Sequence, residues 1–342
     1  MITSSDIARL AGVSQTTVSR VLNNRGKVAP EKAELVRQII RETGYEPNAL
    51  ARSFVKRRTD ALGIFMFTYS TGDQINDNWT GNIVGACHRV LRERGSMMMF
   101  DLIQNRVQFD RVASALRQRR IDGALLLGGR HDINVRPLLA EGFPIALVNR
   151  QWIDKRQPNV IQVTADNTGG TRAAVEHILS LGHKRIGYFA GHVPAPTPQT
   201  RLYSLRATLE PLGLYDESLI IREPKPGSNN VCEIALDLFR GRWRNNGPTA
   251  ILSYNDEIAR SVMDAASMLG MRVPQDLSIV GYDNRFPVQY PFTTVNLPTE
   301  TMCRVGLDGL MRLVDGQPVP EWNVVLPCNL IVRDTTAPPR QV

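Results

Sequence analysis

From residue 61 onward, short apolar runs alternate with helix-length amphipathic segments, and no other feature of the sequence limits the fold as much. The runs are 62–67, 96–100, 124–127, 145–148, 186–189, 250–253 and 277–281, and helical patterns such as 82–94 and 168–181 separate them. Apolar strands joined by helices form parallel sheets covered on both faces. A chain of 342 residues exceeds the roughly 250–300 that one hydrophobic core supports. The region after residue 60 is itself too long for one doubly wound sheet. The expected fold class is therefore α/β, with a core of two Rossmann-like lobes. Ligands of such sheets sit at the carboxyl ends of the strands.

Residues 1–46 follow a different rule and read as three short helices. Thr3 and Asp6 form a capping-box pattern ahead of Ile7, Leu10 and Ala11. The run Ala11, Gly12, Val13, Ser14 is a turn, with Ser14 capping the next helix. A third helix starts at Pro30, buries Leu35, Val36, Ile39 and Ile40, and stops at Gly44. On a wheel of 100° per residue, Val18, Val21 and Leu22 of the second helix face one side. Thr16, Ser19, Arg20 and Asn23 face the other, and Gln15 stands in the first turn. An apolar back and a donor-rich front suit a helix that enters the DNA major groove. Gln pairs bidentately with adenine and Arg with guanine.

Charge supports this reading. Residues 1–58 carry eleven basic and five acidic side chains, a net of +6, whereas the rest carries 30 basic and 28 acidic. A basic small unit on a near-neutral large one points to a polyanion partner. Residues 47–59, PNALARSFVKRRT, form a basic connector in which Asn48 can cap a helix of about two turns. So short a helix is marginal alone and should form only when something packs on it.

Other function classes find little support. No GxGxxG, GxxxxGK[ST] or GxSxG motif is present, so the usual signatures of an enzyme on a doubly wound fold are missing. The four cysteines are far apart and form no CxxC or Cys/His cluster, so no metal is expected. His177 and His183 flank a helix end and read as structural. The N-terminus lacks a signal-peptide pattern and no apolar run reaches the ~20 residues of a membrane span. A cytoplasmic protein without membrane contact and without cofactor is expected, and a transported-solute receptor is disfavoured.

The run DIARLAGVSQTTVSRVLN, followed by GYEPNALARSF, resembles the headpiece and hinge of the lactose/galactose-repressor (LacI/GalR) family of bacterial transcription regulators. The runs ADNTGGTRAAVEHILSLGHKRIGYFAG, SYNDEIA, VPQDLSIVGYDN and PFTTVNLP resemble that family's core landmarks, in its order. The resemblance spans residues 3 to about 332. It implies a small all-α helix-turn-helix headpiece on a two-lobed, periplasmic-binding-protein-like core, with three crossovers between lobes. It implies four parts: headpiece 1–46, hinge 47–59, effector-binding and dimerisation core 60–334, and a disordered tail 335–342.

Carried over by position, Gln15, Thr16 and Arg20 would read bases. Thr3, Ser14, Thr17, Ser19, Asn23 and Asn48, with Lys56 of the basic connector, would meet the DNA backbone. Ala51 and Phe54 would lie in the minor groove, where Phe54 replaces the family's usual Leu wedge. A small-molecule effector would contact Asn149, Arg201, Asn255 and Asp283, with Tyr69 and Trp79 as aromatic partners. A carboxylate, amides and a guanidinium in one cleft suit vicinal hydroxyls, as in sugars and nucleosides. Asp256, early in a helix, reads as its cap. Ser204 and Asn149 depart from the family's usual Gly and Asp, and 192–199 is rich in Pro. The implied protein is a repressor rather than an activator, bound as a homodimer, or a tetramer, to a pseudo-palindromic operator. The helical pattern 304–314 is a candidate part of the subunit contact.

Overall fold

The computed structural model describes residues 2–22, 26–45, 58–68, 78–129, 132–149, 153, 155–191, 196–222, 230–285 and 291–340. They divide into two compact units, 1–60 and 61–342.

The first unit holds the helices Ser4–Leu10, Gln15–Leu22 and Pro30–Thr43. Thr3 and Asp6 satisfy each other's backbone N–H groups in a full capping box. Ser14 Oγ accepts the Thr17 N–H at 3.1 Å and starts the second helix. Ile7, Ala8, Ala11, Val18, Val21 and Val36 close the small core. Leu10 and Leu35 do not join it, contrary to expectation; they are 58% and 43% exposed. In a helix of seven residues the buried stripe is narrow, and Ala11 takes the inward place one step beyond Leu10. Val36 does the same beside Leu35.

The second unit contains two six-stranded sheets. Sheet one runs β11-β5-β4-β3-β1-β2: β1 (Ala61–Phe67), β2 (Met97–Ile103), β3 (Gly123–Leu127), β4 (Ile145–Val148), β5 (Val160–Ala165) and β11 (Asn323–Leu326), all parallel. Sheet two runs β12-β10-β9-β8-β6-β7: β6 (Ile186–Phe189), β7 (Ile220–Ile221), β8 (Ala250–Ser253), β9 (Ser278–Tyr282), β10 (Thr293–Asn296) and β12 (Asn329–Ile331). Only β12 is antiparallel. The chain passes between sheets after β5, after β10 and after β11, so the three crossovers are present.

Five of these strands escape a search for apolar runs: β5, β7, β10, β11 and β12. The β5 run Val-Ile-Gln-Val-Thr-Ala is interrupted by Gln162, yet Gln162 is fully buried. Its amide exchanges hydrogen bonds with the Ile153 backbone at 3.1 and 3.2 Å and donates to Asn323 Oδ1 at 3.0 Å. A polar side chain that completes its bonds internally is tolerated in a core.

The helix Thr299–Val314 follows β10 of sheet two but packs on sheet one. A Cβ at Gly309 would overlap Ile161, and one at Gly306 would stand 2.8 Å from Val148, so glycine lets helix and sheet approach closely. Leu307, Leu310 and Met311 lie in the core of this lobe. The apolar pattern at 304–314 is thus accounted for within the chain.

The tail, expected to be disordered from Thr335, is instead ordered through Arg340. Thr335 and Ile279 exchange hydrogen bonds at 2.8 and 2.6 Å, and Ala337 and Ser278 do so at 3.0 Å. Arg340 pairs with Asp276 at 3.4 Å. His177 Nε2 meets Thr336 Oγ1 at 3.0 Å. His183 Nε2 donates to the Ala337 carbonyl at 2.8 Å, and its Nδ1 accepts from Thr249 at 2.8 Å. Threonine and alanine at the end of a chain give no apolar signal, so this docking strip is invisible to pattern reading.

Burial lowers the pKa of both histidines below the ordinary imidazole value. At these two sites the unfolded chain therefore binds protons that the folded chain refuses, so their contribution to stability falls as pH drops below about 6.5. Urea unfolding at pH 8.0, 6.5 and 5.5 should show that contribution as a difference between the native chain and His183→Gln. The stability of the native chain relative to His183→Gln should decline from pH 8.0 to 5.5, and truncation after Asp334 should lower the midpoint at every pH.

Candidate nucleic-acid interface and binding cleft

On the helix Gln15–Leu22, Val18 and Val21 are buried, while Gln15, Thr16, Ser19 and Arg20 are exposed. The reading face thus stands outward, as the wheel requires. Gln15 Nε2 donates to Ser4 Oγ at 2.7 Å, which fixes its amide against the first helix. Thr3 is spent on its capping box with Asp6, and Ser14 and Thr17 bond each other across 2.9 Å. These three side chains first serve the helix starts; any contact to phosphate would be added to that role. Asn23, Asn48, Ala51, Phe54, Lys56 and Tyr69 lie outside the described residues, as does the Trp79 side chain.

In the core, polar residues gather where strands end. Arg201, on the helix Pro196–Leu209, is only 2% exposed. Its Nε donates to Asn167 Oδ1 at 2.9 Å, one Nη to the Tyr254 carbonyl, and the other Nη to Asp283 Oδ1 at 3.3 Å. The guanidinium lies 3.4 Å from the Tyr282 ring centre and 4.8 Å from that of Tyr254. Arginine suits such a place because its charge is permanent and its planar fork both bonds and stacks. Asp283 follows β9 with φ 95, a left-handed conformation unusual for a side chain with a Cβ.

Asn149 follows β4 on the other lobe with φ 63. Its N–H bonds to the Val163 carbonyl at 2.9 Å, but its Oδ1 is buried with no hydrogen-bond partner among the described residues. A buried acceptor left in that state is expensive and marks a place for a donor. Arg201 and Asp283 thus meet directly on sheet two, while Asn149 stands on sheet one.

Two neighbouring assignments change. Asn255, not Asp256, caps the helix Asp256–Met268: its Oδ1 accepts the Ile258 N–H at 2.9 Å. Asp256 is instead buried, accepting the Arg285 N–H at 2.6 Å and the Thr294 hydroxyl at 2.8 Å. Burial pushes its carboxyl up to about 7, the nearby charge of Asp283 adding to the rise. Ser204 gives its hydroxyl to the Thr168 carbonyl at 2.8 Å and ties two helices together.

Reading residue types one by one misses Asn167, Tyr254 and Tyr282. Their signal is position: each falls inside a quoted landmark, beside a strand end. Among the described residues, no group of His, Cys, Asp and Glu is placed to hold a metal ion, and no helix is long and apolar enough to cross a membrane.

A helix-turn-helix unit with an exposed donor face, followed by a two-lobed core with a buried polar cluster, defines a transcription regulator built on a binding-protein scaffold. Comparison with known proteins agrees. Residues 3–48 match the family described as bacterial regulatory proteins, lacI family, and residues 175–336 match the periplasmic binding protein-like domain. The transcriptional regulator DegA of Bacillus subtilis is 30% identical over 97% of this chain and 97% of its own. The structure of the lac repressor dimer bound to operator and an anti-inducer has a TM-score of 0.80 at 24% identity, covering 98% of this chain and 99% of that one. The structure of a transcriptional regulator CelR–cellobiose complex has a TM-score of 0.70 at 28% identity, covering 98% and 100%. The chain belongs to the lacI family of bacterial transcription regulators.

The ion pair makes a direct forecast. Arg201→Met should destabilise the core by about 3 kcal/mol, the low end for breaking a buried pair, because Asp283 keeps some solvent contact. Arg201→Lys should recover only part, since an ammonium lacks the fork that reaches three acceptors. Chemical unfolding of the core measures both.

Proposed function

We propose that this chain represses transcription from a pseudo-palindromic operator as a homodimer in the cytoplasm, and that a small polyhydroxylated effector bound between the lobes controls it. The observation that carries the effector is the division of polar groups between lobes. Sheet two offers the Arg201–Asp283 pair, and sheet one offers the unsatisfied Asn149 Oδ1. A carboxylate accepts from hydroxyls and a guanidinium donates to them, so a sugar, sugar derivative or nucleoside satisfies both lobes at once. The cellobiose carried by the CelR relative supports this chemical class. For DNA, one headpiece covers one half-site, and a two-fold protein requires a two-fold site. Gln15, Thr16 and Arg20 read bases, and Ala51 and Phe54 of the hinge enter the minor groove. The repressor sense follows the family resemblance.

A thermal-shift screen against sugars, sugar phosphates and nucleosides should find the effector, because a ligand specific to the folded state raises its stability. Asp283→Ala should abolish that shift. A ligand whose shift survives in Asp283→Ala would move the site elsewhere.

Binding to matched and singly mismatched operators at several salt concentrations tests the DNA face. Arg20→Ala should lose about 1–3 kcal/mol of discrimination at one base position. Lys56→Ala should weaken every sequence alike and reduce the salt slope by about one. Equal loss on all sequences for Arg20→Ala would show that another residue does the reading.

A further inference from the structure

Asp256 begins the helix Asp256–Met268, yet it does not cap it and is only 1% exposed. Its two oxygens are divided. Oδ2 accepts the Arg285 N–H at 2.6 Å, and Oδ1 accepts the Thr294 hydroxyl at 2.8 Å. A Cβ at position 281 would overlap this carboxylate, so glycine there lets β9 pass against it.

The turn it touches is strained. Asp283 and Asn284 have φ 95 and φ 52, two left-handed residues in succession and neither a glycine. Such conformations persist only where the surroundings over-determine them. Here they do. The Thr294 hydroxyl, while donating to Asp256, also accepts the Asn284 N–H at 3.4 Å. Asn284 donates to Asn296 Oδ1 at 3.1 Å and accepts from Arg333 at 2.8 Å. Arg285 pairs with Glu257 at 2.9 Å. Asp283, presented by this turn, meets Arg201.

We propose that Asp256 is a positioning residue of the effector cleft: its carboxylate fastens the turn 283–285 that presents Asp283, and its protonation loosens that turn. The proposal rests on the reading of this cleft as the effector site. A carboxylic acid has one donor where the carboxylate has only acceptors. With the proton on Oδ2, the Arg285 N–H faces a donor. With the proton on Oδ1, the Oδ1–H donates to Thr294, whose second lone pair still takes the Asn284 N–H, and Oδ2 holds the Arg285 N–H as a neutral carbonyl instead of a carboxylate oxygen. Either way the hold on the Arg285 N–H loses its charge assistance, and the turn is held more weakly. The charged groups around Asp256 are Asp283 just after β9, Glu257 and Arg285 in their ion pair, and Arg333 behind Asn284. Burial first, and then the charge of Asp283, raise the carboxyl to about 7. The turn is therefore held above that pH and released below it.

The test needs the full chain alone. Amide NMR and hydrogen exchange should follow Arg285 from pH 5.5 to 8.5, corrected for intrinsic exchange. One titration near pH 7 is expected, with protection of the Arg285 amide falling about tenfold on the acid side as a charge-assisted hydrogen bond is lost. Asp256→Asn should remove the titration and leave the amide in its weakly protected state throughout. Thr294→Val deletes a donor to the ionised form, so it should move the midpoint upward. A flat profile in the native chain, a titration that survives in Asp256→Asn, or an unmoved midpoint in Thr294→Val overturns the proposal. No ligand enters the experiment. Its failure therefore leaves the cleft's assignment untouched, whereas a surviving thermal shift in Asp283→Ala removes that assignment whatever Arg285 does.

Discussion

The core is organised around one buried cation. Arg201 is almost without solvent, and an ionised group in that position is tolerable only when paired and hydrogen-bonded. Each demand is met by a different part of the chain: Asn167 at the start of the helix Asn167–Ser180, the Tyr254 carbonyl after β8, Asp283 after β9, and the faces of Tyr254 and Tyr282. The guanidinium thus fixes where two strands end and where two helices lie. Ser204, three residues along the same helix face, fastens the same pair of helices at Thr168. A cluster assembled this way is held in one geometry, and under the proposed reading that would lower the cost of ordering it on ligand binding.

Strain and dissatisfaction occur at the same strand ends. Asn149, Asp283 and Asn284 are left-handed without being glycine, and Asn149 leaves a buried oxygen unmet. Local rules are broken most often where function requires it. The charged groups elsewhere behave differently. Arg106–Asp110, Arg206–Glu210 and Arg172–Glu176 are exposed pairs one helical turn apart. They add little to stability, and only Arg106, at the Asn134 carbonyl, and Arg206, over the Tyr215 ring, reach beyond their own helix.

What could be read from the sequence follows from what each element buries. The strands β1, β3, β4, β6, β8 and β9 are buried along nearly their whole length and are almost wholly apolar, so their runs are plain. The strand β5 hides behind Gln162, whose partners come from residues 153 and 323 and cannot be inferred locally. The edge strands β11 and β12 are only partly buried, so they lack the apolar signature. The tail is held by threonine hydroxyls and backbone groups, which pattern reading counts as loop. Around the strand ends, the family landmarks singled out Arg201 and Asp283 as separate ligand contacts, but their pairing with each other was not legible. The exchange of roles between Asn255 and Asp256 was not. Both are good capping types, and only three-dimensional context decides which side chain turns back on the helix and which turns inward.

The crossovers decide how such a core can move. One continuous apolar cluster runs from Ile161, Val163 and Ala165 of sheet one, through Ala174, Val175 and Ile178, to Ile186 and Tyr188 of sheet two. On that side the lobes share a close-packed interior and cannot part without opening voids. The polar strand ends carry Asn149 on one lobe and Arg201 and Asp283 on the other. A relative motion of the lobes that kept the shared interior closed would turn about the crossover side. On the proposed reading, a ligand that satisfied Asn149 and Arg201 together would select one setting of the lobes. It can shift the equilibrium only by the difference in its affinity for the two settings. On that reading the rigidity of the Arg201 cluster and the unmet bond of Asn149 act in one direction: the first would keep half of the site formed, and the second would leave the other half incomplete until a ligand bridged the lobes.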